Sequence, residues 1–234
     1  MAGVTYRGMH PSTSLIRFGM PAIAAGIVLG ATLPGVVSSV VAADPASLPW
    51  LFERLFAWMA YIAMTLSVVF GLLLSTKVLD AIAHRPVNFT LHQDLAAAAL
   101  GMAGLHGVIL GLDATMPFSI TSMVVPGLAP NSPLGVGVGQ VAFYLMVVVT
   151  ASFYLRRLMS QRAWRTLHYV TFLAFIGATA HGIGAGTDTA GWAWWIYLFA
   201  TVVVVFLLVY RIVMSVAGRA GGRAGAQSSR PPLA

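Results

Sequence analysis

Four histidines form the pattern in this chain that could do chemistry. His92 and His106 lie fourteen residues apart, and His168 and His181 thirteen apart, each pair within or at the end of an uncharged stretch. An ionisable side chain inside a membrane-length apolar segment is expensive, and such residues usually mark a functional site. Fourteen residues advance about 21 Å at ~1.5 Å per residue and complete nearly four turns at ~100° per residue. His92 and His106 therefore share one helix face, with the small side chains of Ala96, Ala99 and Ala103 between them. His168 and His181 fit an ideal helix less well, since thirteen residues leave them about 140° apart in phase. A distortion, for instance near Gly177, or approach from the helix flank is needed to bring them to one side. Two imidazoles facing each other at each of two depths is the arrangement that holds two haems axially, one above the other. Packed histidines bridging neighbouring helices are the plain alternative for any one of them. His10 and His84 fall in segments without partners and are not expected to be ligands; Met102 is a minor axial candidate.

Elements that could position these residues follow from composition. Hydrophobic residues make up 59% of 234 positions and charged residues 8%, against about 25% charged in average soluble domains. Spans of about 20 apolar residues cross a bilayer, and the charges delimit six: Phe18–Ala43, Leu55–Thr76, Leu95–Leu112, Gly135–Leu155, Thr166–Thr187 and Thr189–Tyr210. Between the third and fourth, Pro117, Pro126, Pro130 and Pro133 break the helix. The first span, after Arg7 and Arg17 and before Val41-Ala42-Ala43, has features of a secretory signal but is too long for one. It is read as a retained helix, though processing within 1–43 stays open. The fold expected is all-α, a six-helix transmembrane bundle over 15–215, with a cytoplasmic segment 1–14 and a flexible basic tail 216–234.

With the N-terminus in the cytoplasm, twelve of the thirteen Lys and Arg residues fall on the cytoplasmic side, Arg54 beside Glu53 being the exception. This Lys/Arg bias orients multi-pass proteins of the plasma membrane, so both termini are expected inside. The formal charge of +7 is then topogenic, and no nucleic-acid partner is expected. Spans three and five run in the same direction. His92 and His168 thus meet near the cytoplasmic face, and His106 and His181 near the outer face. Arg85, Arg156, Arg157 and Arg165 could reach the propionates of an inner haem or serve topology alone. The absence of cysteine excludes disulfides, thiolate metal sites, iron–sulfur clusters and covalent c-type haem attachment. Asp80, Asp94, Asp113 and Asp188 sit at span ends, and no nucleophile triad, phosphate loop or carboxylate cluster competes.

The stretch Trp164-Arg165-Thr166-Leu167-His168-Tyr169, with Ala180-His181-Gly182 and Gly186-Thr187-Asp188, resembles the ferric reductase-like transmembrane domain family. Pro117-Phe118-Ser119-Ile120, Val125-Pro126 and Leu134-Gly135-Val136-Gly137-Val138-Gly139 are similar to its stand-alone bacterial members. The resemblance covers roughly residues 50–212. The family includes the membrane domain of NADPH oxidases and the haem-binding membrane partner of periplasmic methionine sulfoxide reductase. It implies b-type haem on spans three and five, with a similar fourteen/thirteen spacing: His92 and His168 on the inner haem, His106 and His181 on the outer. Two haems are expected, or one. Unlike the oxidases, the chain is expected to work without a flavin or nicotinamide domain of its own after span six. The expectation is a cytochrome b-like electron-transfer subunit of an oxidoreductase, set in membrane lipid. Its donor would be a separate protein or quinone, and its acceptor an outer-side protein or small molecule. The rival is a non-catalytic subunit of a larger complex that binds haem or another tetrapyrrole structurally.

Overall fold

The structure, a computed structural model, describes residues 48–76, 78, 85–112 and 118–228. Every described element is helical: α1 Leu48–Thr76, α2 Arg85–Leu110, α3 Ile120–Val124, α4 Pro133–Leu155, α5 Gln161–His168, α6 Val170–Ala185 and α7 Ala193–Ser228. A single 3-10 turn, Arg156–Leu158, follows α4. Four helices are long and apolar enough to cross a membrane: α1, α2, α4 with its 3-10 turn, and α7. Large apolar side chains face outward along them, including Val108, Phe199 and Phe206 at 57–71% exposure, and on α6 Leu173 and Ile176 do the same. Soluble monomers seldom expose apolar surface on this scale. The first span, Phe18–Ala43, and the segment 1–14 lie outside the described residues.

Two helices begin earlier than their charges indicated. The α1 helix starts at Leu48 rather than Leu55, so Glu53 and Arg54 sit within it. Each has a partner: Glu53 lies against His106, and Arg54 pairs with Asp188 and Thr187 beyond α6. The α2 helix starts at Arg85 rather than Leu95; Pro86 suits its first turn, where no intrahelical N–H bond is forfeited. Asp94 is accommodated on an exposed face. For α4 the start at Pro133 and the end at Leu155 fall within two residues of the expected span.

The expected fifth span is two helices. Tyr169 follows His168 in a tight turn, its N–H meeting the Arg165 and Thr166 carbonyls, while Phe172 N–H returns to the Tyr169 carbonyl. The distortion needed between His168 and His181 is therefore here, not at Gly177. Gly177 serves close packing instead: a Cβ there would lie 3.0 Å from the Ala142 Cβ, and α4 and α6 form the most intimate helix pair. The last helix starts four residues late, after a turn through Asp188–Trp192, and continues into the segment read as a tail.

The core is assembled from stripes at helical spacing. Tyr61, Met64, Val68 and Leu72 of α1 meet Ala99 of α2, Phe175 of α6, and Tyr197, Ala200 and Val204 of α7. The Tyr61 hydroxyl lies 3.1 Å from Thr179 Oγ1, which itself donates to the Phe175 carbonyl at 2.9 Å. That bond satisfies a polar group in an apolar interior, where an unpaired one would be costly.

Candidate functional site

The helices bring the four histidines together in two pairs. His92 of α2 and His168, the last residue of α5, have ring centres 6.1 Å apart and planes at 78°. His106 of α2 and His181 of α6 also have ring centres 6.1 Å apart, with planes at 68°. The pairing is the one expected from depth: start of α2 with the α5 end, end of α2 with the α6 end. Ala99, midway between the pairs on α2, is fully buried.

Three of the four rings are oriented through Nδ1. His92 Nδ1 lies 2.8 Å from the Ser67 carbonyl and 3.1 Å from the Ser67 hydroxyl. That hydroxyl donates to the His92 carbonyl at 3.0 Å, so Nδ1–H is the donor toward Ser67. His181 Nδ1 lies 2.8 Å from the Gly135 carbonyl. His106 Nδ1 lies 2.9 Å from Glu53 Oε1 and 3.2 Å from the Glu53 carbonyl. In each case the acceptor fixes the proton on Nδ1 and leaves the Nε2 lone pair free. The fourth ring, His168, is stacked on Trp164, with centres 5.3 Å apart and planes at 24°. Trp164 stands one turn earlier on α5, the spacing at which side chains meet along a helix.

Glycines make room for two of these rings. A Cβ at Gly139 would fall 2.6 Å from His181 Cγ and 2.9 Å from Cδ2. A Cβ at Gly71 would fall 3.1 Å from His92 Cε1. The second pair borders a cavity of about 640 Å³ walled by Tyr61, Phe143 and Tyr197 and by the small residues Ala103, Gly104 and Gly107. Its loop-side wall is built by α3: Gln140 Nε2 donates to the Ser122 carbonyl at 2.7 Å and the Met123 carbonyl at 2.8 Å. Gly137 lets the loop cross α4, since a Cβ would lie 2.9 Å from Gly127 N.

Near the first pair are buried donors without a partner among the described residues. These are Asn88 Nδ2, one turn before His92; Trp164 Nε1, on the ring stacked against His168; and Thr171 Oγ1, three residues after it. Orphaned buried donors are uncommon and signal a missing acceptor. Of the four arginines considered for propionates, Arg156 lies over the Phe153 ring at 4.2 Å. Arg165 lines a separate recess with Arg162 and Tyr169. His10 and His84 lie outside the described residues.

Among the described residues, no three His, Cys, Asp or Glu side chains gather into a metal cage. Each site offers two imidazoles. Sequence reasoning missed Glu53, Ser67, Gly135, Gly71 and Gly139 as partners of the histidines. Glu53 had a signal, as a carboxylate within an apolar helix; the backbone carbonyls of Ser67 and Gly135 had none.

No curated protein and no solved structure matches the chain. A family described as a domain of unknown function, DUF8596, matches residues 48–188, more than half the chain and a range that contains Glu53, all four histidines and Asp188. The chain belongs to that family.

Proposed function

We propose that this chain is a six-helix protein of the plasma membrane, both termini cytoplasmic, that moves single electrons across the bilayer through two b-type haems. The observation that carries the reading is the equal 6.1 Å separation of the two histidine pairs. Two imidazole–metal bonds of about 2 Å each, plus about 1 Å from each nitrogen to its ring centre, put ring centres about 6 Å apart across one metal ion. Rings at that spacing are two residues that could hold one haem iron between them. Nδ1–H bonds to backbone oxygens or carboxylates are how metal-binding histidines are usually held. A donor set of histidine without cysteine fits non-covalent haem b, and the orphaned Asn88, Trp164 and Thr171 donors fit an acidic cofactor edge.

His92 and His168 would hold the inner haem, and His106 and His181 the outer. Bound haem supplies a one-electron Fe(III)/Fe(II) couple, tuned by axial ligands, burial and hydrogen bonding. Ser67, Gly135 and Glu53 keep the imidazoles in the metal-binding tautomer. Tyr61 and Tyr197 wall the cavity beside the second pair, and Phe175 stacks on Tyr61 behind them. The resemblance to ferric reductase-like domains supports the same reading, with a separate protein or quinone as donor and an outer-side acceptor.

The test is optical and stoichiometric. Protein purified from haem-replete cells should show low-spin b-type bands, release its haem into acid acetone and contain two haems per chain. A folded, colourless preparation contradicts the reading. Reporters at the C-terminus and in the 113–134 loop should lie on opposite sides, the C-terminus inside.

A further inference from the structure

The four imidazoles are not held alike. His92 and His181 give their Nδ1–H to neutral groups of Ser67 and Gly135. Among the described residues His106 alone meets a carboxylate, Glu53 Oε1 at 2.9 Å, on a neighbouring helix. The geometry points to Glu53 as a positioning residue that lowers the reduction potential of the His106–His181 site. The inference rests on the haem reading above.

A carboxylate accepting from Nδ1–H draws that proton toward itself and raises electron density at Nε2. A ligand nitrogen richer in electrons favours ferric over ferrous iron, and so does a fixed negative charge nearby. Side-chain exposure is 20% for His106 and 17% for Glu53, so little water screens the pair. The adjacent Arg54 directs its guanidinium to Asp188 and Thr187. A plain strut between α1 and α2 would also explain the contact. It would be insensitive to replacing the carboxylate by an amide of the same shape, provided the amide oxygen still accepts.

The experiment isolates each site. His92→Ala should leave only the His106–His181 haem, and His106→Ala only the His92–His168 haem. Redox titration of the first, with and without Glu53→Gln, should show the reduced-to-oxidised ratio at fixed potential rising at least tenfold, about 59 mV for a one-electron couple. In the His106→Ala background Glu53→Gln should change nothing. A smaller rise, or the same change in both backgrounds, overturns the role of Glu53 while the haem reading stands. Unsubstituted protein without haem would remove the reading itself. Should Glu53→Gln fail to accumulate, Glu53→Asp, whose shorter side chain withdraws the carboxylate, should shift the potential in the same direction. No shift with Asp, or loss of this haem from both variants, overturns the inference.

Discussion

The rings of His92 and His168 stand 6.1 Å apart, centre to centre, with planes at 78°. His106 and His181 repeat the distance at 68°. Ring planes near perpendicular leave the iron orbitals that overlap with them close in energy. Ferric protein should therefore give highly anisotropic low-spin electron paramagnetic resonance signals, each dominated by one low-field feature. Two well-resolved rhombic signals would contradict axial pairs of this geometry.

Glycine at two positions should matter unequally. A Cβ at Gly139 would overlap the His181 ring at 2.6 Å from Cγ, whereas one at Gly71 only crowds His92 at 3.1 Å. Overpacking of this kind costs typically about 1–3 kcal/mol. Gly139→Ala is expected to lose or spectrally disturb the outer haem, while Gly71→Ala keeps two haems per chain. Haem analysis of the two variants checks the order; the reverse order would contradict it.

The histidine pairing was legible because it needs only helix direction and rise. Residues 92 and 168 begin two parallel apolar segments, and residues 106 and 181 lie 14 and 13 further on. The break at Tyr169 was not legible. It involves neither glycine nor proline; Gly177, the example considered beside approach from the helix flank, packs against Ala142 instead. Charges served well as span limits at Leu155 and Thr76 but misplaced the starts of α1 and α2. Glu53 and Arg54 have partners 53 and 134 positions away, His106 and Asp188. A charge beside an apolar run was visible in the sequence, but nothing local names a partner so far away. The contact that most distinguishes the two sites, Glu53 with His106, was hidden for that reason.

Orphaned donors near the first pair yield a third prediction. Trp164→Phe keeps an aromatic face against His168 and deletes Nε1–H; Asn88→Leu deletes Nδ2 at a position 2% exposed. If these donors serve only the protein, removing an unpaired group should be neutral or stabilising. If they meet an acidic cofactor edge, each loses a hydrogen bond to a charged group, about 1.5–3 kcal/mol. We expect the latter: roughly tenfold or more faster transfer of the inner haem to a scavenging apoglobin, with unchanged transfer of the outer haem. Unchanged release of both haems would contradict it.

The central claim is that the four histidines form two sites, His92 with His168 and His106 with His181. Haem per chain in paired substitutions tests it most directly. The within-pair doubles, His92→Ala/His168→Ala and His106→Ala/His181→Ala, should each retain one haem. The cross-pair double His92→Ala/His181→Ala should retain none, since it damages both sites. One haem retained in the cross-pair protein, or none in either within-pair protein, would contradict the two-site account.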